Sequence, residues 1–331
     1  MSEKNITMDD IARELGISKT TVSRAMSGKG RIGRATVERV QAYIEEHNYH
    51  PSAIAQSLAN SKSYNIAFVV TQDVGESDIP FFQRCMWSVA ECSKEHGYNV
   101  IVCTISEDDL SSLQKLVSDR KIDGAIVGRT VDDDKTLQFL RSKQIPFITI
   151  GSITDEETYQ VDNNHFDGCR ELTELLLEHG GKLALFGGNS SYNVNRTRLA
   201  GYLKAHKNQR YDADQKMIFR NLKNESMIED AVRTALMNKV KCFVCMDDVI
   251  CSKVVNFLDK SEIRIPSDVE VVSFYDSILL ENHVPSITAL CVNVSELGYT
   301  ACNSLVSIIE GQSVAKKQQL DIEYVKREST R

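Results

Sequence analysis

The stretch MDDIARELGISKTTVSRAMS, Met8–Ser27, decides how the amino end of this chain is read. Thr7 stands where it can cap a helix beginning at Met8, and Asp10, three residues on, completes a variant of the capping box. Ile11, Ala12 and Leu15 give that helix an apolar face. Gly16 ends it, because a tight turn needs a residue that tolerates positive φ. Ser18 can cap a second helix, Lys19 to Met26, with Val22 turned inward. After the polar run Ser27 to Gly33, a third helix from Ala35 to His47 offers Val37, Val40, Ala42 and Ile44 to a core. Two helices across a glycine turn, braced by a third, form a helix-turn-helix, the pattern that lays its second helix in the major groove of DNA.

Working outward, a connector over 48–63 carries Pro51 and Ser52, which can open a short helix from Ala53 to Ala59. Two turns are marginal in isolation. From Tyr64 the rhythm becomes strand–helix alternation. Strands are expected at Ile66 to Val70, Val100 to Thr104, Gly124 to Val127, Phe147 to Ile150, Leu183 to Phe186, Cys242 to Cys245, Val269 to Ser273 and Ile287 to Cys291. Helices between them include Phe81 to His96, Phe166 to His179, Asn195 to His206 and Val249 to Lys260. Strands this apolar belong in parallel sheets covered on both faces, and their number calls for two sheets with a ligand cleft at the strands' carboxyl ends.

The 331 residues suit two or three domains. The net charge of −7 argues against a DNA binder until its distribution is examined. Residues 1–62 hold nine Lys and Arg against seven Asp and Glu, and the remainder holds 30 against 39. A basic head on an acidic body can meet phosphates while the body stays away from them. No apolar run is long enough to span a bilayer, and MSEKNITMDD lacks the apolar segment of a secretion signal. Nine scattered cysteines then read as reduced thiols in a cytoplasm. Cys242 and Cys245, with Cys251 beyond, have metal-ligand spacing but no histidine nearby. The seven histidines do not cluster with an acid and a nucleophile, and there is no P-loop or GxGxxG. No catalytic residue, metal or cofactor is expected. Gly187-Gly188 after a strand marks a close-approach turn.

Over essentially its whole length the chain resembles the lactose-repressor (LacI/GalR) family of transcription regulators. The head matches in GISKTTVSR, TVERV, NYHP and AQSL; the body matches in IPFFQRCMWSVAE, KIDGAIV, VDNNHFDG, RLAGYLKA, MDD, IPSDVEVVSFYDS, PSIT, ELGYTA and VKREST, in the family's order. The resemblance implies an all-α helix-turn-helix head on an α/β body of two subdomains, like the type I periplasmic binding proteins. The implied domains are 1–50 for DNA binding, 51–63 for a hinge helix and linker, and 64–331 for effector binding and dimerisation. Within the last, an N-subdomain takes about 64–162 and 293–320, and a C-subdomain about 163–291 and 321–331.

By resemblance, Lys19, Thr20 and Arg24 read bases in the major groove, Thr21, Ser23, Ser27 and Lys29 contact phosphates and set the register, and Thr7 and Ser18 belong to the same DNA-binding set. Leu58, flanked by Ala55 and Ala59 on the hinge helix, implies a wedge in the minor groove that kinks the duplex. Packing alone is the competing reading for Leu58. In the body, Arg198, Phe82, Arg129, Asp247 and Tyr275 are the implied effector-binding residues, with Asp248 beside them. Two departures stand out. Tyr275 occupies a place where the family commonly has an aspartate, and Leu222 replaces a frequent aromatic. Two arginines and one fewer carboxylate favour an anionic effector such as a sugar acid or sugar phosphate, with a neutral sugar equally compatible. Implied partners are a near-palindromic operator in double-stranded DNA, a small-molecule effector and a second copy of the chain; the short end after VKREST offers no leucine heptad for a tetramer. The alternatives are a ligand-independent DNA-binding regulator, or a sugar-binding protein with no regulatory role.

Overall fold

The computed structural model describes residues 6–27, 30–47, 49, 62–72, 79–106, 108–131, 134–178 and 180–331. The chain divides into two compact units, Met1–Ser63 and Tyr64–Arg331. Lys29 and the expected hinge helix, with Ala55, Leu58 and Ala59, lie outside the described residues.

In the first unit, α1 is Met8–Leu15, α2 is Lys19–Ser27 and α3 is Arg34–Glu46. The start of α1 is fixed reciprocally. Thr7 Oγ1 accepts from the Asp10 amide at 3.3 Å, and Asp10 Oδ2 accepts from the Thr7 amide at 3.0 Å. Gly16 closes the helix in the left-handed region, at φ 66°. Ile11, Val22 and Val40, one from each helix, are fully buried against one another's cluster, with Tyr49 sealing its edge. Arg39 on α3 donates to the Leu15 carbonyl at 3.0 Å, which satisfies a helix end left open by geometry. One expected core residue is corrected: Ala42 is exposed. Two residues past Val40 is about 200° around the helix, so Tyr43 and Ile44 take the inward positions instead.

The second unit holds two six-stranded sheets. The first contains β1 (Asn65–Thr71), β2 (Asn99–Ile105), β3 (Gly124–Gly128), β4 (Phe147–Ile150), β5 (Gln160–Asn163) and β11 (Lys317–Leu320). Their spatial order is β11-β5-β4-β3-β1-β2, and every pairing is parallel. The second contains β6 (Leu183–Phe186), β7 (Ile218–Phe219), β8 (Cys242–Cys245), β9 (Glu270–Ser273), β10 (Thr288–Val292) and β12 (Ile322–Val325). Its order is β12-β10-β9-β8-β6-β7, parallel except where β12 runs antiparallel to β10.

Helices cover both faces of each sheet. They are α4 (Ile79–Glu95), α5 (Ser111–Ser118), α6 (Lys135–Ser142), α7 (His165–Glu178), α8 (Asn193–Asn208), α9 (Glu225–Met237), α10 (Asp248–Lys260), α11 (Ile278–Glu281) and α12 (Val294–Ile309). The central strands are buried end to end, as parallel strands between two helical layers must be. Four short strands, β5, β7, β11 and β12, were not expected from sequence. β5 reads QVDN and β11 reads KQQL, so neither carries an apolar signal, and β7 has only two residues. The chain passes between the sheets after Asn163, Val292 and Leu320. Those crossings bring the carboxyl ends of both sheets to one cleft.

Candidate functional site

Two sites emerge, one on each unit. On the head, α2 buries Val22 and Ala25 and turns Lys19, Thr20, Ser23 and Arg24 outward as one exposed face. The spacing does this: residues three and four apart on a helix lie side by side, as Thr20 and Ser23, Lys19 and Ser23, and Thr20 and Arg24 do. Ser18 is exposed and its hydroxyl lies 2.8 Å from that of the half-buried Thr21, whose amide donates to Ser18 Oγ at 3.1 Å. Ser18 thus caps α2. Lys19 Nζ reaches Asp9 at 2.8 Å, an exposed pair of little energetic weight that leaves the lysine available to a stronger acceptor. The Arg24 side chain runs past Gly30, where a Cβ would lie 3.3 Å from Arg24 Cδ. Thr7 is exposed and engaged as the cap of α1, and Ser27 ends α2. Thr7, Ser18, Lys19, Thr20, Ser23 and Arg24 are therefore on the surface, and Thr21 is half-buried and orders the helix start.

The second site is the cleft. A cavity of about 140 Å³ is lined by Phe81, Phe82, Arg129, Arg198, Asp247 and Tyr275, so all five effector-binding residues expected from sequence line it. They arrive from distant parts of the chain. Phe82 lies on α4, Arg129 follows β3, Arg198 lies on α8, Asp247 caps α10 and Tyr275 follows β9. A larger hollow, of about 600 Å³, lies at the end of α8 around Leu203, Lys207 and Tyr211. It contains none of the unpaired buried groups that mark the cleft.

Aromatic rings form one side of the cavity. Phe81 meets Phe82 edge-on at 5.2 Å and Tyr275 at 6.1 Å. The Arg129 guanidinium lies 5.5 Å from the Phe82 ring and 4.5 Å from Tyr192. Its backbone is held at φ 61°, where a non-glycine residue is uncommon, and this aims the side chain between the two rings. The close-approach turn at Gly187 and Gly188 is also realised: a Cβ on Gly187 would lie 2.7 Å from Met246 Sδ.

The polar wall is more revealing. Arg198 is 6% exposed, and its Nη1 donates to the Met246 carbonyl at 2.6 Å. Its Nε has no hydrogen-bond partner, and neither do His165 Nδ1 and Asn163 Oδ1. Asp162 Oδ2 accepts from both the amide and the hydroxyl of Ser152, at 2.8 and 2.7 Å, and its Oδ1 accepts from the Asn163 amide at 2.8 Å. Burial pushes Asp162 upward against these hydrogen bonds and the charge of Arg198. His165 Nε2 stands 3.6 Å from Asp162 Oδ1. Burial first, and then the charge of Arg198, hold His165 well below the ordinary imidazole range.

Asp162, Asn163 and His165 were missed as site residues, although VDNNHFDG was recognised as a matching block. Their signal was an acid and a histidine three residues apart at the end of a strand. The scattered-histidine reading overlooked that pair.

Hydrogen bonds draw the walls of the cleft together at one end. The Asn193 amide donates to the Thr130 carbonyl at 3.4 Å, and Asn193 Nδ2 donates to the Ser152 carbonyl at 3.0 Å. Val131 and Tyr192 form a β-bridge beside them. The departures noted in sequence also find their places. Asp276, next to Tyr275, points away from the cavity and pairs with Arg327 through two contacts of 2.7 Å. Leu222 packs against the core of the second sheet and does not face the cavity. Cys242, Cys245 and Cys251 are buried in the apolar interior, where burial pushes the Cys242 and Cys245 thiols up, away from the thiolate a metal needs. No helix among the described residues is long and apolar enough to cross a membrane.

Comparison with known proteins matches both units. Residues 7–52 match bacterial regulatory proteins of the lacI family, and residues 173–330 match a periplasmic binding protein-like domain. The HTH-type transcriptional regulator MalR of Staphylococcus xylosus is 27% identical over 332 residues, covering 98% of each chain. The HTH-type transcriptional repressor PurR of Haemophilus influenzae is 25% identical, covering 96% of this chain and 95% of its own. Among solved structures, the lac repressor dimer bound to operator and an anti-inducer has a TM-score of 0.80 at 22% identity, covering 98% of this chain and 99% of its own.

Proposed function

As a member of the lacI family of bacterial regulatory proteins, the chain is a DNA-binding transcription regulator and not an enzyme, and we propose that it represses carbohydrate-utilisation genes under control of a small sugar-like effector held in the cleft. The observation that supports this reading is the conjunction of an exposed polar and basic helix face on one unit with an aromatic and polar cavity in the other. Lys19 has donors for guanine O6 and N7, and Thr20 has a hydroxyl and a methyl for base edges. Arg24, four residues on, extends the same face. Ser18, Thr21, Ser23 and Ser27 set the register on the phosphates, with Lys29 and the hinge residues Ala55, Leu58 and Ala59 assigned by resemblance alone.

The protein acts as a homodimer in the cytoplasm, where its operator is. One head meets one half-site, so a near-palindromic operator requires two-fold symmetry. Exposed apolar side chains support a self-association surface: Trp87 on α4 is 61% exposed, and Val284 beside α11 is 86% exposed with Ile278 and Leu279 next to it. Effector binding between the walls alters how the two sheets sit against each other, and that shift biases the DNA-bound arrangement.

The test is selection of duplexes from a random library by the full chain, followed by titration of the selected duplex at fixed salt. A near-palindromic sequence should emerge, and a sugar that raises the melting temperature should change its affinity. A selected sequence without two-fold symmetry would refute the dimeric reading. Affinity indifferent to every stabilising sugar would refute the effector reading.

A further inference from the structure

We propose that Asp9 is a specificity-determining residue of the DNA-binding head: with Lys19 it forms a donor–acceptor couple that reads one G·C pair in the major groove. This rests on the head being the unit that reads DNA, with Lys19 on its reading face.

The couple joins two helices. Asp9 lies in the first turn of α1, and Lys19 is the first residue of α2. Lys19 Nζ donates to Asp9 Oδ2 at 2.8 Å, and both side chains are exposed. The neighbours of Asp9 are committed elsewhere. Asp10 is held by Thr7 in the cap of α1, and Arg13, the partner that helical spacing offers Asp9, stands 3.4 Å from Asp10 instead. Asp9 turns across to α2. Burial raises the Tyr49 phenol, with Lys19 lowering it and Asp9 raising it, so both charges lie close to the ring that seals the head's core.

Helix stability does not explain why the two meet. A lysine in the first turn of α2 opposes the helix dipole, and that turn holds no acid. An acid in the first turn of α1 suits its dipole, a role that Asp10 already fills. An exposed ion pair contributes little to folding. Affinity does not explain it either, because a carboxylate beside the recognition face repels the phosphates of every duplex alike.

What the pair offers is a pattern. In the major groove a G·C pair shows the N7 and O6 acceptors of guanine and then the N4 donor of cytosine. O6 and N4 are themselves joined by a hydrogen bond of about 2.9 Å. Lys19 Nζ and Asp9 Oδ2, 2.8 Å apart, present a donor and an acceptor at that same spacing. The ammonium meets O6 and N7, and its third hydrogen keeps the bond to Asp9. The carboxylate accepts the N4 hydrogen that a lysine alone leaves unread.

The other base pairs fail for stated reasons. An A·T or C·G pair in the same orientation presents donor before acceptor, so both contacts become repulsive. A T·A pair keeps the order, but its methyl group stands where guanine N7 would share the lysine. A carboxylate that lowers affinity on all duplexes and recovers it at one base pair is a device for discrimination.

The experiment is selection of duplexes from a random library by the full chain, then competition titrations with every single-base-pair variant of the selected duplex at one salt concentration. The proteins compared are wild type, Asp9→Ala, Asp9→Asn, Lys19→Ala and the double variant of Asp9→Ala with Lys19→Ala. Wild type should select a G·C pair at one position of the half-site where both single alanine variants lose discrimination. Asp9→Ala should lose about fivefold or more of the preference there, keep it elsewhere, and bind unrelated duplexes more tightly than wild type. Adding Asp9→Ala to Lys19→Ala should change that preference by less than about twofold, because the couple acts as a unit. Asp9→Asn keeps an oxygen acceptor without the charge and should fall between wild type and Asp9→Ala.

Unchanged base preferences in Asp9→Ala would overturn the inference and leave Lys19 reading alone. Discrimination lost at different positions in the two single variants, or at a pair other than G·C, would overturn the couple. Equal weakening on every duplex in both Asp9 variants, with reduced hydrogen-exchange protection of α1, would overturn it in favour of a structural role at the helix start. A wild-type selection that yields no sequence would instead overturn the DNA-reading function on which the inference rests.

Discussion

The recognition face and the cleft reach function by opposite routes. The face draws Lys19, Thr20, Ser23 and Arg24 from a single helix, all exposed, with the buried Val22 and Ala25 behind them. The five cleft residues expected from sequence come from five separate regions of the body, and Arg198 among them is almost wholly buried. On the face, chemistry and stability are separable, because changing an exposed side chain leaves the core untouched. In the cleft they are joined, because each polar group is also part of the packing that closes two sheets on one another. A regulator gains from that division. Operator preference can drift without threatening the fold, whereas ligand preference is tied to it.

The largest expected effect breaks the cleft from beneath. On α8, one turn from Arg198, Gly201 lies so close to α7 that a Cβ would stand 2.4 Å from the Phe166 carbonyl oxygen. Gly201→Val should destabilise the body by about 3 kcal/mol or more, seen as a lowered denaturation midpoint together with loss of ligand response. If ligand response vanishes while stability is unchanged, the coupling of packing and function in the cleft is wrong.

On the recognition face the opposite split is expected. Lys19→Ala should weaken operator binding by about 1–3 kcal/mol, roughly tenfold or more, with thermal stability within about 0.5 kcal/mol of wild type. Anisotropy titration and calorimetry on the same preparation would measure both. A large loss of stability would show that this face is also structural.

Between these lies Thr7→Ala. Removing the cap that Thr7 and Asp10 share should cost about 1 kcal/mol, confined to melting of the head. Hydrogen exchange resolved by segment would detect it, and equal loss of protection in the body would contradict the independence of the two units.

The smallest effect is a pH dependence. Burial lowers the proton affinity of His165 and of His206 in the folded state. Below about pH 6.5 the unfolded chain therefore binds more protons than the folded one, so stability falls as pH drops through that value and is fully present above it. His165→Gln should flatten part of this slope in denaturant titrations at successive pH values. A slope unchanged in the variant would mean that His165 titrates much as it does in the unfolded chain.

How much could be read in advance differs between the two sites for the same reason that their energetics differ. The head's capping box, glycine turn and inward valines are local patterns, and a local pattern survives in a one-dimensional reading. The single misplacement, Ala42, came from counting apolar residues without following the helical angle. In the body, the apolar central strands and the five expected cleft residues were legible, the latter through family motifs around them. The polar strands β5 and β11 were not, because they owe their place to neighbours in the sheet and not to hydrophobicity. Asp162, Asn163 and His165 sit at the end of β5 and the start of α7, and they went unseen with it.

The sequence by itself determined that a helix-turn-helix precedes two doubly covered sheets, and which face of α2 would be exposed. Those outcomes follow from residue spacing and solvent aversion, which act along the chain. Only the tertiary structure decided which groups in the cleft are already satisfied and which are not. Arg198 spends one donor on the Met246 carbonyl and keeps Nε unpaired; Asp162 is taken up by Ser152 and Asn163; His165 is turned toward Asp162 and left with an unpaired nitrogen. The Arg198–Met246 bond joins residues 48 positions apart, and Asn193 reaches Thr130 and Ser152 across the cleft from 63 and 41 positions away; no spacing along the chain encodes those contacts.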